Sequence, residues 1–178
     1  MIDYASCLVL HEYCKMLLHE PIDKSYSSSC GNSDERHECN TRRSFYEPYQ
    51  TAGLLGFTVS AAPEITIKMA TDTIKELHSL RTHGVEAQLL VLAKQRASMH
   101  FSNSHSDNIR DYCDFLGTSL HVDNSSTTRL EMGEILQTIK QVGVSDLKRA
   151  LETMFSHPTS VYGHGEVVSF PSLRQLGL

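Results

Sequence analysis

From Pro63 to Phe155 the chain repeats one pattern, apolar residues at spacings of three and four closed by glycine or proline. That periodicity suits amphipathic helices packed on one another. Pro63 fits a first helical turn, and Ile67, Ala70, Ile74 and Leu77 make one stripe ahead of Gly84. Val85 to about His100 begins apolar on every side, as a central helix covered by its neighbours would. Ser106 can cap the next segment, where Ile109, Tyr112, Cys113 and Leu116 recur before Gly117. Thr128-Arg129-Leu130-Glu131 has the capping-box form ahead of Ile135, Ile139 and Val142. Ser145 then caps a last stripe of Leu147, Ala150, Leu151, Met154 and Phe155, which Pro158 ends. Short connections make successive helices antiparallel neighbours.

At the amino end, residues 3 to 20 form another amphipathic run, stopped at Pro21. Ile22 to Gln50 is rich in Ser, Cys, Asn, Asp, Glu, Arg and Tyr, which reads as a loop or a small irregular module. Thr51 to Ala62 is apolar but carries Gly53 and Gly56, compatible with a short buried strand or a helix lead-in. The expected fold class is therefore all-α: a five- to six-helix bundle with an irregular Cys/His-rich amino-terminal segment. Three regions follow. Residues 1–50 hold the first helix and the polar segment, 51–157 the bundle core, and 158–178 a tail that alternates weakly from Val161 to Phe170.

A chain of 178 residues, 40% hydrophobic and 21% charged, has material for one globular core, and neither disorder nor a fibre fits that balance. Its longest apolar runs, Cys7 to Leu10 and Leu89 to Ala93, fall far short of the roughly 20 residues that cross a bilayer. No membrane partner is expected. The start, Met1-Ile2-Asp3-Tyr4, lacks the basic residues of a secretory signal. An intracellular, reducing location follows, cytoplasmic or nuclear, with the five cysteines as thiols or ligands.

Four of those cysteines lie in the first 39 residues, along with three of the ten histidines. In the first helix Cys7, His11, Cys14 and Leu18 share a face, opposite Ala5, Val9, Tyr13 and Met16. Cys30, His37 and Cys39 follow in the polar segment. Zinc takes four ligands of these kinds, and two from each group would compose a site able to order that segment. The spacings, Cys-x6-Cys and Cys-x8-Cys, are not those of a zinc knuckle. The simpler alternative makes Cys7 and Cys14 small buried hydrophobes.

Arg36, Arg42, Arg43, Phe45, Tyr46 and Tyr49 crowd the same segment. Arginines beside stacking rings are the ingredients of a surface for single-stranded RNA or DNA. Glu38, Glu47 and a net charge of -5 weigh against it, and a solvated loop with docked aromatics is the plainer reading.

The sequence contains no Gly-rich phosphate loop, His-Glu-x-x-His helix, nucleophile elbow or EF-hand loop. Cys113 falls on a core stripe, where a thiol is buried and unactivated. The expected function is a non-enzymatic binding or adaptor protein with a protein partner. Homo-oligomerisation would run through the first helix, whose two apolar faces suit its own bundle and another chain. The rival is a nucleic-acid-binding regulator with a zinc-ordered amino-terminal segment. A thiol- or metal-dependent enzyme is the third reading, with Cys30 and His37 as its thiol and base.

Overall fold

The first helix, α1 (Ile2–Leu18), runs through the middle of the core rather than along its edge. Its flanks pack on residues 41–48, 87–106, 132–141 and 144–156, and from Tyr4 to Leu18 no residue is exposed. The computed structural model describes residues 2–18, 41–49, 52–106, 109–110, 112–113, 116–117, 132–165 and 174. Ala5, Val9, Leu10 and Tyr13 enter one hydrophobic cluster with Ile135, Ile139, Leu147 and Leu151, so residues on both sides of position 50 build a single core.

Polar groups on α1 survive burial because each is paired. Ser6 Oγ donates to the Ile2 carbonyl at 2.7 Å, and the buried Glu12 carboxylate meets Lys15 at 3.4 Å and Arg96 at 3.7 Å. The Tyr13 hydroxyl accepts the Glu86 N–H at 3.0 Å.

Next come two strands, β1 (Thr41–Pro48) and β2 (Gly53–Ser60), paired antiparallel from Thr41↔Ser60 to Pro48↔Gly53. This hairpin corrects the all-α expectation: the fold is mainly helical with a minor sheet. The physical reason is visible in β1, which alternates with a period of two, but its inward positions are Arg42, Ser44 and Tyr46 instead of aliphatic residues. Its alternation is hidden in a segment that looks uniformly polar. In β2, Leu55, Phe57 and Val59 supply the matching inward positions.

Helix α2 (Pro63–His83) starts at its proline and stops at Gly84, whose φ of 83° and N–H to the Leu80 carbonyl (3.0 Å) close the helix. Its deepest residues are Met69, Thr73 and Leu80, while the expected stripe of Ile67, Ala70, Ile74 and Leu77 is half-buried. Helix α3 (Ala87–Ser106) buries Leu90, Ala93, Ala97 and Phe101. It is not enclosed on all sides as the sequence suggests: Val91 is 57% and Met99 67% exposed, because α1 already fills the centre. The small Ala93 and Ala97 let α3 lie close against α1.

Ser106 is the last residue of α3, not a cap. Ile109, Tyr112 and Cys113 are helical but exposed, so Cys113 is not the core thiol expected of it; of that stripe Leu116 alone packs on the core. The capping box at Thr128–Glu131, the Pro21 stop and residues 166–170 of the Val161–Phe170 stretch lie outside the described residues.

Helices α4 (Met132–Gln141) and α5 (Val144–Ser156) close the core with Ile135, Ile139, Val142, Leu147 and Leu151. Gly143, not Ser145, holds the N-cap position of α5, where its N–H donates to the Asp146 carboxylate at 2.9 Å. The ring of Phe155 stacks on His78 at 5.3 Å with the Arg81 guanidinium 5.3 Å from its centroid, tying α5 to α2. Five continuous helices and one hairpin thus hold most of the described residues, and none of these helices is long and apolar enough to cross a membrane.

Candidate functional site

The face of α1 that carries Cys7 and His11 is the face on which the hairpin sits. His11 Nε2–H donates to the Ser44 carbonyl at 3.0 Å, and Ser44 Oγ donates to the His11 carbonyl at 3.5 Å. One turn back, the Cys7 thiol and the Tyr46 hydroxyl are hydrogen-bonded, and the Tyr46 ring lies 6.4 Å from that of Tyr4. The inward row of β1 is therefore spent on holding the hairpin to the core.

Burial governs the chemistry of these groups. It pushes the Cys7 thiol up, an effect that the Tyr46 hydrogen bond opposes and the nearby Asp3 charge reinforces. Cys14 is almost wholly buried and is pushed up to about 12. Tyr4 reaches about 12 and Tyr46 is raised further, again by desolvation. Both thiols stay protonated near neutrality, the unreactive form for nucleophilic attack or metal ligation.

Of the six residues expected to ligate zinc, Cys30, His37 and Cys39 lie outside the described residues. Cys7, His11 and Cys14 do share a region of α1, but Cys7 and His11 are bonded to β1 and Cys14 is packed in the core. Among the described residues no three His, Cys, Asp or Glu side chains converge on a point where a metal ion could bind.

The arginine and aromatic strip is divided by the strand. Arg36 lies outside the described residues. Arg42 and Tyr46 turn inward, and the Arg42 side chain, 3% exposed, makes an ion pair with Glu76 of α2 at 2.9 Å. Arg43, Phe45 and Glu47 occupy the outward face, with Tyr49 at the start of the turn, where its N–H donates to the Ala52 carbonyl at 2.8 Å.

Leu54 joins them from β2. It pairs with Glu47 and is 51% exposed, beside Phe45 at 37% and Tyr49 at 60%. Sequence reading missed Leu54; the alternation Leu54, Gly56, Thr58, Ser60 against Leu55, Phe57, Val59 is the signal that locates it. The far end of the Phe45 ring lies against Gly56, where an added Cβ would run into it. The glycine thus fixes the aromatic on the hairpin surface.

The result is a small apolar group set on an ordered support, flanked by one cation and one anion. No known family model and no curated protein matches this chain.

Proposed function

We propose that the chain is a non-enzymatic binding protein that engages a protein partner through the outward face of its β1–β2 hairpin, in a reducing cytoplasmic or nuclear setting. The observation that carries this reading is the exposure of Phe45, Tyr49 and Leu54 together on a hairpin pinned to α1 by His11 and to α2 by Arg42. Aromatic and aliphatic anchors with few charges are the composition of an interface centre. Fixing them in advance lowers the ordering cost of association.

Charge favours a protein over a nucleic acid. Arg42 is committed to Glu76, so Arg43 is the one cation on the outward face of the two strands, and Glu47 stands beside it. Backbone tracking along a single strand calls for several cations. Self-association through α1, the route its two apolar faces suggest, loses its rationale because both faces are covered within the chain.

Photo-crosslinking in the cells that make the protein tests the reading, with a benzophenone side chain replacing Leu54 in one variant and Leu92, exposed on α3, in another. A discrete adduct with a different protein is expected from position 54, diminished by Tyr49→Ala and not reproduced from position 92. Adducts with RNA or DNA from position 54, or the same adducts from both positions, contradict it.

A further inference from the structure

A two-stranded sheet has two outer edges, and the register tells which backbone groups face them. The Tyr49 N–H donates to the Ala52 carbonyl, so Tyr49↔Ala52 is a hydrogen-bonded pair, and so is every second pair from there to Thr41↔Ser60. The pairs in between turn their backbone polar groups outward. These belong to Arg42, Ser44, Tyr46 and Pro48 on β1, and to Gly53, Leu55, Phe57 and Val59 on β2. The Ser44 carbonyl, which accepts from His11, is outward by this count, as it must be.

The β1 edge is guarded: His11 of α1 occupies the Ser44 carbonyl, Pro48 has no N–H to offer, and Arg42 is charged. The β2 edge has none of these defences. Gly53–Ser60 contains no charge and no proline, and its register runs without a bulge. Among the described residues no hydrogen bond reaches the outward N–H or C=O groups of Gly53, Leu55, Phe57 or Val59. No residue of β2 is buried. An uncharged strand edge left open in this way is a template for a further strand.

We propose that the β2 edge pairs antiparallel with the β2 edge of a second copy of this chain, joining two hairpins into one four-stranded sheet. Leu55, Phe57 and Val59 are half-buried on the inward side, and the same alternation on an antiparallel β2 supplies the cross-strand neighbours that cover them further. Because β2 is uncharged, two chains of net charge -5 meet there with no like charges opposed. A two-fold axis sets like edge against like, so the pairing uses up both open edges. With the β1 edges guarded, assembly stops at two copies. The contact lies in the plane of the sheet, so it leaves Phe45, Tyr49 and Leu54 open and does not depend on the partner proposed for that face.

Sedimentation velocity and amide hydrogen exchange of the full chain test this. One strand pair is a small contact, so a dimer with a dissociation constant on the order of 100 µM is expected. Between about 20 µM and about 1 mM protein, the amides of Leu55, Phe57 and Val59 should slow by about threefold or more through mass action. Val59→Pro removes one outward N–H from each copy and keeps the ladder to β1, so it should weaken the dimer by about tenfold or more. A monomer at both concentrations, assemblies larger than two, or exchange at those three amides that does not depend on concentration overturns the proposal. So does a folded Val59→Pro variant that dimerises as before. The exchange measurement uses the unaltered protein, so it decides the matter even if the variant fails to fold.

Discussion

His11 and Ser44 are bonded in both directions across the contact between α1 and β1. The imidazole N–H reaches the Ser44 carbonyl at 3.0 Å, and the Ser44 hydroxyl reaches back to the His11 carbonyl at 3.5 Å. The longer contact is at the limit of a hydrogen bond, so the imidazole carries most of the connection. His11→Ala should lower stability by about 1–2 kcal/mol. Urea unfolding checks this through the midpoint, and an unchanged midpoint would mean that the bond contributes nothing.

Leu10 and Leu92 are the same residue type in opposite surroundings, 1% and 44% exposed. Leu10→Ala opens a cavity in the core cluster and should cost about 2–5 kcal/mol. Leu92→Ala should stay within about 0.5 kcal/mol. Thermal or urea unfolding of the two variants separates them, and comparable losses would contradict the central place of α1.

Phe45 and Gly56 should be energetically coupled. A methyl group at position 56 has to displace the Phe45 ring, which is exposed enough to swing aside, so Gly56→Ala should destabilise by about 1 kcal/mol. In a Phe45→Ala background that cost should vanish. A double-mutant cycle measures the difference, and additive effects would show that the ring does not rest on the glycine.

Alkaline pH should destabilise the protein. Cys14 rises from 9.0 to about 12 and Tyr4 from 10.0 to about 12 on folding, with Cys7 and Tyr46 moving the same way. The unfolded chain therefore releases these protons first. Their contribution is complete below about pH 9 and is lost as pH climbs toward 12. Tyr4→Phe keeps the ring and removes one titrating group, so its stability should fall less steeply above pH 10. Urea titrations from pH 8 to 11 read both slopes; a flat profile for the unaltered chain would contradict the burial of these groups.

How much of this was written in the sequence depends on what fills the inward positions. Helices α2, α4 and α5 were legible because their stripes end at Gly84, Gly143 and Pro158, residues whose backbone demands are local. The hairpin was not, because Arg42 satisfies its charge with Glu76, 34 residues away, and Ser44 with His11, 33 residues away. No local pattern announces such partners. The depth of α1 was hidden for the same reason: Ser6 and Glu12 look like surface residues until Ile2, Lys15 and Arg96 are seen to pair with them. Within the candidate site, Phe45 and Tyr49 were legible as residue types, but the pairing register was needed to add Leu54 and remove Arg42.

A binding platform of this kind requires the hairpin to be as firmly held as the helix beneath it. Native-state hydrogen exchange measures that directly. The amides of Leu10 to Cys14 and the hydrogen-bonded amides of β1 should exchange together, at the free energy that urea gives for unfolding of the whole protein. Exchange of the β1 amides about a hundredfold faster than those of α1 would show the hairpin opening on its own and contradict the platform.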